Sequence, residues 1–479
     1  MSERAPILQP PTPELLQQLA DIVGPAHALT DPDTQQPYLR EWRDRYVGRA
    51  AMVLRPGTTE EVSRILALAD AARVGIVPQT GNTGLVGGQI PSTDGRQIVL
   101  NLCRLDRVRS VDVATSSMTV EAGVTLAAAR DAAEAAGRLF PLSLPSEGTC
   151  CIGGNLATNA GGVGVLAYGS ARQLTLGLEA VLADGRVWHG LKSLRKDNTG
   201  YDLRDLLIGS EGTLGVITAA TLKLVPRPRE IATGFAALPS LEAVQALFDL
   251  VTTMAGPALT AFEFLSQRAL GFVTAHVVNA RAPFAAEHPW SVLFDISAHT
   301  TEGRARELME NILSAATEKG IIADAAIAQS VSQAENLWRL REGASEAQRF
   351  EGGSIKHDIA VPVGAIAAFI PRADALVESL CPGARPVAFG HFGDGNVHYN
   401  VSQPVGMERD RFLGQWETIS ARVHDLVAEF DGSISAEHGI GQMKRDGLRD
   451  VKGAVEIDLM HRIKAALDPN GILNPGKLL

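Results

Sequence analysis

The sequence predicts an α+β protein of more than one domain, and three observations carry that expectation. A β-α-β unit near the N-terminus runs into glycine-rich loops; strand-like and helical stretches alternate through the second half; and a histidine-flanked hairpin stands at residues 389–400. A chain of 479 residues is also long for a single core.

In chain order, Thr12-Pro13-Glu14 opens a helix: a cap, proline at the first position, an acid in the first turn. Leu15, Leu16, Leu19, Ile22 and Val23 form its apolar face and Gly24 ends it, after which the polar stretch to residue 48 reads as loop. A strand at residues 51–54, a capping box Thr58-x-x-Glu61 opening a helix to residue 74, and a second strand from Ile76 make the β-α-β unit. The second strand runs into Pro78-Gln79-Thr80-Gly81-Asn82-Thr83-Gly84-Leu85-Val86-Gly87-Gly88, where successive backbone N–H groups could cradle a pyrophosphate. It fits neither the P-loop nor the Rossmann pattern, and a plain glycine-rich surface loop would read the same. Strands at 97–102, 107–112 and 117–120 and a helix from Thr125 precede a second small-residue loop, residues 144–162. A third such cluster spans residues 197–215, ahead of a strand at 216–225. Three such loops in one region are hard to explain without a large flat ligand lying against backbone.

Val225-Pro226-Arg227-Pro228-Arg229 marks a boundary. Beyond it, strands at 258–264, 291–296 and 321–328 alternate with helices at 241–254, 301–319 and 331–350, and a last helix covers 455–466. The expected division is residues 1–47 as lead-in, 48–226, 227–440 and 441–479.

In the hairpin, His391 and His398 flank Gly393-Asp394-Gly395-Asn396, so both imidazoles could face the same side. Imidazole is the commonest protein metal ligand, and Glu437-His438 could add a carboxylate and a base. The bland alternative is two histidines bonded to nearby backbone. Likewise Trp338, Arg341 and Ser345 share a helical face, yet Arg341 could simply pair at the surface with Glu342 or Glu346.

Composition excludes several classes. Net charge is -10 with no basic tract, and aromatics make up only 5%, so nucleic acid is a poor partner. The polar, proline-rich residues 1–13 do not read as a signal peptide, and the longest uncharged run, residues 148–171, is too rich in glycine and asparagine to span a membrane. Cys103, Cys150, Cys151 and Cys381 form no C-x-x-C, in keeping with a reducing compartment. The expectation is a cytoplasmic protein without a transmembrane segment.

Several long motifs, in order, resemble the vanillyl-alcohol oxidase-type flavoproteins. PxxGNTGLVGG, LPSEGTCCIGGNLATNAGG, LGLEAVLADG and DLLIGSEGTLGVIT are similar to the FAD-binding domain of that family. GHFGDGNVHYN, AEHGIGQMKR and the terminal LNPGK are similar to its D-2-hydroxyacid branch. The resemblance implies a two-part FAD-binding domain, an α+β substrate (cap) domain and a C-terminal segment returning to the flavin. It implies that Pro78, Thr80, Gly81, Asn82, Thr83, Gly84 and Leu85 hold the FAD pyrophosphate side. Pro145, Ser146, Gly148, Gly154, Asn155, Thr158 and Gly162 would line the cofactor, with Glu211, Gly212 and Ile217 on its adenine side and Asn474 at the C-terminal end. The family often tethers FAD to a histidine in the first loop; none occurs between Pro78 and Pro91, so the flavin is expected to be non-covalent.

The same resemblance gives Arg341, Ser345, Lys356 and Asn400 the task of holding a substrate carboxylate. Ser345 stands where dicarboxylate-specific members often carry Thr, which leaves chain-length selectivity open. His391, His398 and Glu437 would hold a divalent metal, Zn2+ first and Mn2+ or Co2+ as alternatives, against the 2-hydroxyl and adjoining carboxylate. His438 would take the hydroxyl proton, a role suited to an imidazole of ordinary pKa ~6.5. The implied reaction is hydride transfer from a D-2-hydroxyacid to FAD, with D-2-hydroxyglutarate, D-lactate and D-malate sharing the reacting end. An electron-transfer flavoprotein or a quinone would reoxidise it, and a homodimer is compatible with all of this. Two other classes compete: a metal-dependent hydrolase, and a non-catalytic flavin-binding subunit.

Overall fold

The structure, a computed structural model, describes residues 7–479, so the first six residues of the polar N-terminal stretch lie outside the described residues. The chain forms two compact units. One takes the chain up to Gly161, then Gly169–Pro226 and Glu437–Leu479; the other takes Gly162–Tyr168 and Arg227–Ala436.

In the first unit, helix Pro13–Val23 begins where Thr12 accepts the Leu15 N–H at 3.2 Å and buries Leu15, Leu19, Ile22 and Val23. The stretch expected to be loop up to residue 48 instead contains helix Pro32–Leu39, capped by Asp31 accepting from Thr34 N. Its start carries the usual signs, Asp then Pro then Asp. Its polar sequence and the internal Pro37 hide the rest, because few of its residues reach a core. The β-α-β unit is present: strands Met52–Leu54 and Ile76–Gln79 each run parallel to Ile98–Asn101, with helix Thr59–Ala72 between. Thr58 caps that helix, while Glu61 turns back to the N–H of Gly57 at 2.7 Å. A five-stranded antiparallel sheet follows, in the order Val108–Asp112, Ser117–Glu121, Val216–Lys223, Thr175–Val181, Val187–Gly190. Val181 and Val216 of that sheet join Val62, Ile65 and Leu66 of the helix and Ile98 and Leu100 of the parallel strands in one core. Within the expected loop 144–162, residues Ile152–Ala157 form a short helix, which a run containing Gly153 and Gly154 conceals from propensity.

The second unit is an antiparallel sheet. Strands Glu230–Leu238, Trp290–Ala298, Leu259–Ser266, Arg385–His391 and Asn396–Ser402 pair in that order. One face buries Val244, Leu247, Met309, Ile312, Phe369 and Ile419, contributed by helices Leu241–Ala255, Arg304–Glu318, Ile366–Leu380 and Trp416–Glu429. The other face packs Leu265 and Phe389 against Leu337 and Leu340. The helix expected over 331–350 is not continuous: Val331–Glu342 is followed by Ala344–Ala347 and a 3-10 turn, Gln348–Glu351, with the break at Gly343. Among the described residues, no helix is long and apolar enough to cross a membrane.

Candidate active site

Glycine-rich loops of the first unit converge on one cavity. Pro78, Thr80, Asn82, Thr83 and Gly84 line it from the first loop, and Gly154, Asn155 and Thr158 from the second. Glu211, Gly212 and Ile217 come from the third, and His438 and Asn474 from the C-terminal stretch. The expected residues Gly81, Leu85, Pro145, Ser146 and Gly148 are not in its wall, and Gly162 falls in the other unit. Gly81 stands behind the wall: a Cβ there would lie 2.0 Å from the Thr149 carbonyl oxygen, so its bare backbone lets two loops touch. Gly154 does the same against Thr80, whose Oγ1 would be 2.7 Å from an added Cβ. Gln79, Cys151 and Gly153 also form wall and were not singled out from sequence, although all three lie inside the quoted motifs.

The cavity fits a ligand rich in hydrogen-bonding edges. Asn82 Oδ1, Asn155 Nδ2 and Asn474 Oδ1 are buried, line it, and have no hydrogen-bond partner among the described residues. Buried amide atoms without partners are uncommon, and a bound molecule or an ordered water that completes them is the ordinary reason. Asn82 is itself fixed, its Nδ2 donating to the carbonyls of Pro37 and Arg40 at 2.9 and 3.0 Å. Glu211 has a different task. Its two carboxylate oxygens accept the N–H groups of Ile440 and Gly441, each at 2.7 Å, and its carbonyl accepts from Asn474 Nδ2 at 2.8 Å. The side chain expected beside an adenine therefore ties down the turn that follows His438. Burial pushes its carboxyl above the ordinary range despite those donors and Lys444 nearby.

The second unit holds the hairpin. Strands Arg385–His391 and Asn396–Ser402 pair with His391 opposite Asn396 and Phe389 opposite His398. His391 and His398 thus share a face, with ring centroids 5.6 Å apart and planes at 75°. His391 Nδ1 lies 2.7 Å from Glu263 Oε1, and Arg341 Nε donates to Glu263 Oε2 at 2.8 Å. Arg341 is therefore a buried partner of Glu263 and not a surface partner of Glu342 or Glu346. Burial works to raise the Glu263 pKa, but His391 and Arg341 beside it hold it below the ordinary carboxylate range. Lys356 Nζ donates to Ser345 Oγ at 3.1 Å and to Ser345 O at 3.2 Å, which brings those two together. Asn400 Nδ2 donates to Gln348 Oε1 at 2.7 Å, an arrangement the sequence did not suggest. Ala436, the last residue of the unit, donates its N–H to the carbonyl of Asp358, and Asp358 is the strand partner of His398. Chain connectivity puts Glu437 one residue further on.

Comparison with known proteins gives the class. The family described as FAD binding domain matches residues 50–190, and that described as FAD linked oxidases, C-terminal domain, matches residues 227–478. The chain belongs to the FAD-linked oxidase family of flavoproteins, of the vanillyl-alcohol oxidase type, and is an FAD-dependent oxidoreductase. Among its relatives, D-2-hydroxyglutarate dehydrogenase of Xanthomonas citri pv. viticola is 39% identical over 463 residues, 96% of this chain and 96% of that one. The mitochondrial D-2-hydroxyglutarate dehydrogenase of Arabidopsis thaliana is 37% identical over 459 residues, 96% of this chain and 80% of that one. In fold, p-cresol methylhydroxylase superimposes with a TM-score of 0.74 at 17% identity, covering 97% of this chain and 96% of that one. Alkyldihydroxyacetonephosphate synthase gives 0.73 at 17% identity over 99% and 88% of the two chains. The expected α+β flavoprotein fold is borne out. A hydrolase would leave the FAD-binding domain without a purpose.

Proposed function

We propose that the protein oxidises a D-2-hydroxyacid, D-2-hydroxyglutarate foremost, to the 2-oxoacid, using non-covalent FAD and a divalent cation at His391, His398 and Glu437. The observation that carries this reading is the likeness, at 35–39% identity over nearly the whole chain, to proteins named D-2-hydroxyglutarate dehydrogenase. When bound, FAD would supply the hydride acceptor, and a cation held by His391, His398 and Glu437, Zn2+ first with Mn2+ or Co2+ as alternatives, would supply Lewis acidity toward the hydroxyl.

The chain's own residues do the rest. His438 takes the proton of the 2-hydroxyl as the hydride leaves. Arg341 has spent Nε on Glu263, so its two Nη groups remain to grip a carboxylate. Lys356 donates to Ser345 Oγ, which leaves the Ser345 hydroxyl proton for the same substrate and sets the Lys356 charge beside it. Asn400 keeps a second amide N–H beyond the one given to Gln348. Two cations in this set favour a dicarboxylate over D-lactate; D-malate is the shorter alternative. The reduced protein passes electrons to an electron-transfer flavoprotein or a quinone in the cytoplasm.

Anaerobic titration against D- and L-2-hydroxyacids tests the reading. D-2-hydroxyglutarate should bleach the flavin absorbance, its L-enantiomer should not, and a protein bleached by none of the panel would end the proposal. His438→Ala should keep the yellow cofactor and lose about 100-fold or more in turnover, the usual weight of a general base. Prolonged EDTA treatment should abolish turnover, and Zn2+ should restore it.

A further inference from the structure

Glu263 lies at the centre of strand Leu259–Ser266, and its side chain is 1% exposed. Antiparallel pairing sets it directly opposite His391, with Leu265 opposite Phe389. Its two oxygens are divided: Oε1 meets His391 Nδ1 at 2.7 Å and Oε2 meets Arg341 Nε at 2.8 Å. The Arg341 guanidinium is held from a second side, lying over the Phe389 ring at 5.2 Å from its centroid. One buried carboxylate thus joins a residue offered to the cation and a residue offered to the substrate. A buried ion pair kept only for stability is seldom better than an apolar replacement, and nothing in a purely structural role requires the second oxygen to meet a histidine.

We propose that Glu263 is a positioning residue that sets both the tautomer of His391 and the orientation of Arg341, and so couples cation binding to substrate-carboxylate binding. This rests on the reading of His391 as a cation ligand. A carboxylate only accepts, so the proton between the two groups sits on Nδ1, and the neutral, metal-ligating form of His391 carries its lone pair on Nε2. A carboxylate behind a ligating imidazole orients the ring and raises its basicity, and losing such a partner costs 10–100-fold in metal affinity. Through its other oxygen, Glu263 fixes the Nε side of Arg341 and leaves the Nη pair pre-set to donate to a substrate carboxylate in bidentate fashion.

Glu263→Gln separates this role from simple packing, because the amide keeps the volume but can accept from only one partner and must present N–H to the other. The expected result is a 10–100-fold weaker hold on Zn2+ in competition with a chromogenic chelator. KM for D-2-hydroxyglutarate should also rise in the Zn2+-saturated variant, with FAD content and far-UV circular dichroism unchanged; Glu263→Asp should recover part of both. Zn2+ affinity and KM equal to wild type in a folded variant would overturn the proposal. If wild-type protein itself takes up no Zn2+, Mn2+ or Co2+, the functional reading above fails instead. Should the variant not fold, 15N-histidine NMR of metal-free wild type, assigned with His391→Gln, decides the matter: His391 protonated on Nδ1 is expected, and protonation on Nε2 overturns it.

Discussion

Gly81 shows how a single atom decides the cofactor site. An added Cβ would stand 2.0 Å from the Thr149 carbonyl oxygen, a backbone atom that cannot swing aside. Gly81→Ala should therefore part the two loops at a cost of about 1–3 kcal/mol. Purified protein should retain on the order of tenfold less FAD after dialysis, read from the ratio of flavin to protein absorbance. The sequence displays the glycine; it does not display the carbonyl it meets, which lies 68 residues further along. Arg341 makes the same point from the other direction. Local spacing puts it on a helical face with Trp338 and Ser345 and offers Glu342 or Glu346 as surface partners, whereas its partner Glu263 comes from a strand 78 residues away.

Among the elements, the turn after His438 depends on the third glycine-rich loop. Glu211 accepts two backbone N–H groups of that turn, and nothing near it in sequence foretells this. Glu211→Ala would leave both donors without an acceptor, and the buried one, Gly441 N–H, would cost about 1–3 kcal/mol. The thermal midpoint should fall and FAD retention weaken, both measured in one fluorescence-monitored melt; an unchanged midpoint would remove Glu211 as the anchor. Capped, amphipathic elements such as Pro13–Val23 and Leu241–Ala255 were legible because their signals are local. Helix Pro32–Leu39 was not, because its polar sequence and internal Pro37 give no apolar face to read; in Ile366–Leu380, with its internal proline, and the six-residue helix at Ile152, packing outweighs propensity.

For the molecule as a whole, Lys477 ties stability to pH. The residue is only 4% exposed, and burial, then the charge of Arg445, pushes its ammonium down from 10.5 to about 8. Below pH 8 the folded and unfolded chains both carry the proton, and the folded chain bears the cost of burying it. From about pH 8 to 10 the unfolded chain binds more protons, so stability rises with pH across that window. Lys477→Met should lose that rise and be more stable at pH 7 by up to ~3 kcal/mol, as urea unfolding at pH 7 and pH 10 would report. The burial of Lys477 in the terminal LNPGK is a product of tertiary packing, which the motif itself does not announce.

By itself the sequence determined the α+β class, the β-α-β start, the three glycine-rich loops and the hairpin that brings His391 and His398 to one face. All of these follow from short-range periodicity, turn chemistry and motif order, which a linear chain displays directly. Only the tertiary structure decided that Glu263 stands behind both His391 and Arg341, that Glu211 holds the turn after His438, and that Asn82, Asn155 and Asn474 line one cavity. Those are contacts between residues far apart in sequence, and strand pairing and core packing, which bring them together, leave no trace in the spacing of either partner.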